Sequence, residues 1–474
     1  MTHPLLTRRR FLDDAGLGLG SIALTWLMAQ DRLLAEDKQA ADIPHFPPKV
    51  KRVIHVFSPG GVSQVDTFDY KPELERLDGM PISGKGEIDT FFGKPGNLKK
   101  SVFKFAQHGQ SGQWISDLFP HLATCADDMT FIKSMVTKSS SHQPAGFQMN
   151  TGFTMNGFPS LGAWLSYGLG TSNEELPAFV VLPDPRGLPN GGSNNWSQGF
   201  LPAQHQGVAF QTGKADAIAH LETPQSVTAA HRRKGLNALL NMNRRFAETH
   251  QEDDSLQARV RAYELAARMQ VSIPEAVNFR DETAETQNAY GLNHPTIGPS
   301  ARNYLLARRL VERGVRFVQI YNGGALGSPR ISWDAHEDVR INHTDQGLLL
   351  DQPCAALLKD LKQRGLLQDT LVIWSTEFGR TPFTEVKGAA LGRDHHPHVF
   401  TVWMAGAGLK PGFVYGQSDE LGYKPAEHPV TVYDFHATVL HLLGIDHERL
   451  TYYHNGIARR LTDVHGHVVQ DVLA

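Results

Sequence analysis

Cysteine is nearly absent: Cys125 and Cys354 are the only two in a chain of 474 residues. A framework of several disulfides is excluded, and thiolate chemistry is disfavoured; one bridge outside the cytoplasm or two buried free thiols both remain open. Charge of one sign is also lacking. Lys and Arg number 46 against 49 Asp and Glu, a net charge of −3 with histidine neutral, so no global basic field points to nucleic acid as a partner. No internal repeat is visible. The one extended apolar stretch, at about residues 15–29, is shorter than the roughly 20 residues of a membrane span and rich in glycine. What the chain has in quantity is histidine, 23 residues. Many imidazoles and few thiols favour metal chemistry with nitrogen and oxygen ligands. Hydrophobic residues at 41% and charged residues at 20% are ordinary for a globular protein.

The N-terminal Thr7-Arg8-Arg9-Arg10-Phe11-Leu12 resembles a twin-arginine export motif, although Asp13 stands where a lysine is common. With the apolar stretch behind it, residues 1–42 read as a removable signal and lead-in. The expected partner is the twin-arginine export machinery, the expected location periplasmic or extracellular, and no stable membrane span is expected after processing. The remainder, 43–474, reads as a single α/β domain. Apolar runs, the first of them ending in a Gly-Gly turn, predict strands at Val53–Phe57, Met129–Val136, Ala178–Pro183, Val315–Gly324, Thr370–Ser375 and Val399–Gly406. Amphipathic helices stand between them, for example the segment whose Leu357, Leu358 and Leu361 share one face. The alternation predicts a mostly parallel central sheet flanked by helices on both faces. At about 187–300 an insertion interrupts the pattern, first a Gly/Asn-rich loop and then a helical hairpin.

Ligands of such sheets bind at the carboxyl ends of the strands. Polar residues collect there: Asp66 and Asp69 after the first strand, Ser139 to Ser141 and His142 after the second, Asp334, His336 and His343 after the fourth, and Glu377 after the fifth. Just before the sixth strand, "GRDHHPHVF" holds Asp394, His395, His396 and His398. Carboxylates and imidazoles recurring in five such loops suit a divalent-metal site with open positions for water or substrate. Arg380 and Arg393 stand beside two of these carboxylates, ready either to clamp an anion or to orient the ligands. Lys138 has a weaker claim on substrate charge. His343 reads as a surface or helix-start residue, and His436 and His441 as structural.

"LLKDLKQRGLLQDTLVIWSTEFGRTP" resembles the helix–strand–ligand segment of the alkaline phosphatase/sulfatase superfamily, and "PVTVYDFHATVLHLLGI" resembles a later helix of sulfatases. Together, "GGVSQVDTFDYKP", "WDAH", "EFGRTP" and "GRDHHPH" resemble the exported sulfatase-like family catalogued as domain of unknown function 1501. This resemblance extends over nearly the whole chain after the signal. It implies an alkaline-phosphatase-like fold and one or two divalent ions (Zn, Ca, Mg or Mn). The implied ligands are Asp66, Asp334, His336, Glu377, Asp394, His395 and His398. Phe378 falls where the superfamily has a ligand histidine, so His395 or His398 is placed to supply the imidazole instead.

At the nucleophile, "HQPAGFQMNTG" keeps the proline and the closing Thr-Gly of sulfatases but puts His142 in place of Cys or Ser. A formylglycine sulfatase is thereby disfavoured. Three readings stay open: His142 as ligand or nucleophile, Ser141 or Ser140 as nucleophile by a small register shift, or direct attack by a metal-activated water, with Arg380 or Lys138 holding the anion. The implied function is an exported metal-dependent hydrolase of phosphate or sulfate esters, acting on a small-molecule or glycan ester. The alternative is a catalytically degenerate member that binds anionic glycan or scaffolds a cell-envelope complex.

Overall fold

The computed structural model describes residues 43–92, 94–210, 228–248, 260, 264–265, 268, 273–324, 332–385 and 391–474. The signal segment 1–42 and most of the second arm of the expected hairpin lie outside the described residues. Its first arm is a helix, Ala229–Glu248. No helix among the described residues is long and apolar enough to cross a membrane.

Among the described residues the core is a nine-stranded sheet. Its strands are β1 (Arg52–Phe57), β2 (Met129–Val136), β3 (Phe179–Leu182), β4 (Val208–Ala209), β5 (Phe317–Tyr321), β6 (Thr370–Ser375), β7 (Phe400–Gly406), β8 (Val414–Tyr415) and β9 (Val430–Thr431). The order across the sheet is β8-β2-β7-β6-β1-β5-β3-β4, with β9 also on β2. All six expected strands form. The strands are mostly apolar because both faces are covered. Ile54, Val56, Val372 and Trp374 enter one hydrophobic cluster, while their neighbours Val53, Phe57, Leu371 and Ile373 enter the other. Helices α1 (His142–Thr151), α2 (Leu161–Leu169), α3 (Gly298–Glu312), α4 (Val339–Gln363) and α5 (Val432–Leu442) complete the layers. Side chains of α3 and α4 fill the first cluster and those of α2 and α5 the second. The result is the expected mixed α/β architecture, a mostly parallel sheet between two helical layers.

Three details of this architecture shape the site. Strand β7 runs antiparallel to both neighbours, β6 and β2. The segment entering β7 therefore lies at the same edge as the carboxyl ends of the parallel strands, which is why residues 392–398 join the other loops. That segment is also no free loop: Arg393–His396 is a strand paired with Gly379–Glu385, which pairs in turn with Pro95–Leu98. Finally, α4 begins at Val339, well ahead of its leucine-rich half around Leu350 and Leu357. Asp338 caps it, accepting from the Ile341 amide at 3.1 Å. His343 is thus a residue of the helix, and it is fully buried rather than at the surface. It accepts from the Ser63 amide at 3.1 Å and meets Trp333 edge-on. Cys125 and Cys354 are both buried and free.

Candidate metal centre

The end of β1 sets the floor of the site. Gly60 and Gly61 both have positive φ, and a Cβ on Gly60 would meet the Trp333 and Asp334 amides at 2.5 Å. Only glycine lets this turn pass so closely beneath residues 333–334. The turn also anchors its neighbours. The Gly60 amide donates to Glu377 Oε1 at 2.7 Å. The Gly60 and Gly61 carbonyls accept from Arg380.

Four side chains from three segments converge above this floor: His142, Asp334, His336 and His395. His142 is the first residue of α1, at the helix's electropositive end. His336 Nε2 lies 2.9 Å from Asp334 Oδ1 and 2.8 Å from His395 Nε2. His395 Nε2 is 3.4 Å from Asp334 Oδ1, and His142 Nε2 is 3.4 Å from Asp334 Oδ2.

The other nitrogen of each imidazole is already committed to an acceptor. His142 Nδ1 donates to Glu377 Oε1 at 2.7 Å, His395 Nδ1 to the Ser140 carbonyl at 2.6 Å, and His336 Nδ1 to Glu385. In the neutral tautomers that these bonds select, three Nε2 lone pairs face one carboxylate. Such a set needs a cation, or extra protons, at its centre. An Nδ1–H held by a carboxylate or carbonyl is also the usual support of a metal-binding histidine. His142 Nε2 is buried and makes no well-formed hydrogen bond, an unmet group of the kind that calls for explanation.

The electrostatics agree. Burial alone would lower the pKa of His142 and His336, but hydrogen bonds to Asp334 and Glu377, and to Asp334 and Glu385, outweigh it and raise both. Burial would raise Asp334, yet Arg380 and the three imidazoles hold it well below the carboxylate range. His395 is pushed down to about 3, chiefly by burial. The Phe378 ring packs against His142 and His395 at 4.9 and 4.8 Å.

The remaining sequence candidates do not join these four side chains, although Glu377, Arg380 and Asp394 flank them. Asp66 is sealed in a buried pair with Arg393, Nε to Oδ2 at 2.7 Å, and also accepts from Ser63 and from the Val102 amide. Both its oxygens are taken, and it does not join the cluster. Glu377 touches His142 and not the centre of the cluster. Asp394 accepts from the Phe91, Phe92 and His395 amides, each at 2.8 Å; it stands near His336 and Glu385. His398 is partly exposed and faces Asp89 at 3.0 Å. Arg380 is wholly buried and bonds Asp334 Oδ1 at 2.6 Å, so it orients that carboxylate and has no face for an anion. Lys138 bonds the Tyr433 hydroxyl. Ser141 lies on the rim of a cleft of about 470 Å³ that opens over the cluster.

Sequence reasoning did not single out Glu385, the Ser140 carbonyl or the Phe91–Phe92 pair. Their roles depend on contacts across 49 to 303 residues, for which no local pattern exists.

The model of a family described as "Protein of unknown function (DUF1501)" matches residues 50–473. The chain belongs to the DUF1501 family. No curated protein matches this DUF1501 chain. Among solved structures, it is similar to the lipoteichoic acid synthase LtaP from Listeria monocytogenes, at 10% identity over 90% of this chain and 78% of that one, TM-score 0.36. It is similar to the C-terminal periplasmic domain of EcEptC from Escherichia coli in complex with Zn, at 10% identity over 86% and 85%, TM-score 0.35. The phosphonate monoester hydrolase SpPMH from Silicibacter pomeroyi matches at 10% identity over 69% and 68%, TM-score 0.33.

Proposed function

We propose that this DUF1501 protein is a metal-dependent hydrolase of phosphate or sulfate esters, with His142, Asp334, His336 and His395 holding a divalent cation. The observation that carries the reading is the convergence of three imidazole Nε2 atoms on Asp334, each with its Nδ1 already held by an acceptor. A nitrogen-rich set favours zinc or a similar transition ion over calcium or magnesium, which prefer oxygen.

A bound divalent cation supplies Lewis acidity, polarising an ester oxygen and bringing the pKa of water toward neutral. The chain's own residues do the positioning. Glu377, Glu385 and the Ser140 carbonyl each keep a proton on one Nδ1, so that Nε2 faces inward. Arg380 fixes the Asp334 carboxylate. Around the cluster the cleft is lined by Phe91, Phe92, Ser141, Gln143 and Asn190, without a lysine or arginine among the described residues. An anionic ester entering it meets the Asp334 carboxylate and no fixed positive side chain, so a cation in the cluster is what would attract it. With its Nδ1 held by Glu377 and its Nε2 assigned to the cation, His142 would not be the nucleophile, and attack falls to solvent or to Ser141. Export by the twin-arginine route, with 1–42 as its signal and 43–474 as the working domain, belongs to the same proposal and rests on the Thr7–Leu12 motif.

The test is metal content and ester hydrolysis on the purified protein, alongside His395→Ala. Stoichiometric metal, lost in the variant together with hydrolysis of 4-nitrophenyl phosphate or sulfate, is the expected result. Metal without turnover of any phosphate or sulfate ester favours the binding-only alternative. No stoichiometric metal overturns both.

A further inference from the structure

Phe91 and Phe92 are 40% and 50% exposed, yet they stand directly over two of the cluster's imidazoles. Phe91 stacks on His395 at 4.6 Å and 29°, and Phe92 meets His336 edge-on at 5.3 Å. The two rings meet each other at 4.6 Å and 83°. Scattered surface apolar residues need no explanation, but an aromatic pair on the wall of a polar cleft does.

The pair is fixed from behind. Both backbone amides donate to one oxygen of Asp394, whose other oxygen accepts from the amide of His395. Asp394 is itself 1% exposed. A buried carboxylate so used ties the position of the two rings to that of a cluster imidazole. Ser141, Gln143 and Asn190 complete the cleft wall, a hydroxyl and two amides.

We propose that Phe91 and Phe92 are a platform for the ring of a sugar ester. A pyranose has an apolar C–H face that lies on an aromatic ring and an edge of hydroxyls that amide and hydroxyl side chains can bond. The platform places such a ring beside the cluster, with its ester group over the imidazoles. The inference rests on the proposed ester hydrolysis only for what happens to the bound ring.

The experiment uses the full protein loaded with zinc and two readouts. The first is saturation-transfer NMR with the 6-phosphates and 6-sulfates of glucose, galactose and N-acetylglucosamine, and with glycerol 3-phosphate as an acyclic control. Transfer to the ring C–H protons of at least one sugar ester is expected, with loss in Phe92→Ala and retention in Phe92→Trp. The second readout is kcat/KM. A sugar ester is expected to exceed the acyclic ester at least about tenfold, and Phe92→Ala to cut that ratio to about threefold or less while the thermal midpoint stays close to the parent's. Ring contact that depends on Phe92 without hydrolysis of any ester keeps the platform and removes the proposed reaction. Hydrolysis with no sugar preference, or a Phe92→Ala ratio equal to the parent's, removes the platform and keeps the reaction. Absence of ring contact with all the sugars overturns the platform.

Discussion

Asp66, fully buried, and Asp334, half-buried, are both carboxylates paired with a wholly buried arginine at one edge of the sheet, yet their surroundings are opposite. Around Asp66 the donors are complete: Arg393, the Ser63 hydroxyl and the Val102 amide. Arg393 in turn donates to the Thr381, Lys99 and Lys100 carbonyls. Around Asp334 the arginine is joined by three imidazoles whose outer nitrogens are already spent. The first arrangement is closed and holds the fold. The second faces a cleft and, in our proposal, a cation. An aspartate beside a buried arginine is therefore not a ligand by type; the protonation of its other neighbours decides.

Replacing the two carboxylates separates these roles most sharply. Asp334→Ala is expected to lower metal affinity by more than the roughly 100-fold upper range of outer-sphere changes, measured by competition with a chelating dye. Asp66→Ala leaves Arg393 buried without its carboxylate and is expected to cost about 3–5 kcal/mol in chemical denaturation, with metal content of the folded fraction intact. Loss of metal in Asp66→Ala at unchanged stability would erase the distinction.

Glu377→Gln and Glu385→Gln test the supports of the open site. Each is expected to weaken metal binding by about 10–100-fold without a matching loss of stability. A weaker effect is set by pH. Burial holds His55 and His343 down to about 3 and His436 down to about 4 in the folded protein. The unfolded chain takes up these protons near 6.5, so this contribution to stability is expected to be level above about pH 7 and to fall as pH drops from about 6.5 toward 4. Each group contributes at most about 1.4 kcal/mol per pH unit, read from urea midpoints at about pH 7.5, 6 and 5. The smallest effect is at His398, whose ion pair is with the exposed Asp89. His398→Ala is expected to change stability by less than about 0.5 kcal/mol and metal content not at all.

Much of this arrangement is legible in the chain. Apolar runs locate six strands of the central sheet, because a strand buried on both faces is mostly apolar. The loops after those strands bring His142, Asp334 and His336 to one edge, and "GRDHHPH" lies at that edge with them. The chain does not tell Asp66 from Asp334, or His395 from His398. Nor does it show that β7 runs against its neighbours, although that reversal is what carries His395 to the cluster.

The sequence by itself determined the layers, the edge and the supply of ligand-type side chains, since these follow from local hydrophobicity and spacing. Only the tertiary structure decided which side chains meet. Asp66 and Arg393 are 327 residues apart, and His142 and Glu377 are 235 apart. Whether a buried carboxylate is sealed or open depends on hydrogen bonds and charges brought to it across such distances, and no local pattern encodes them.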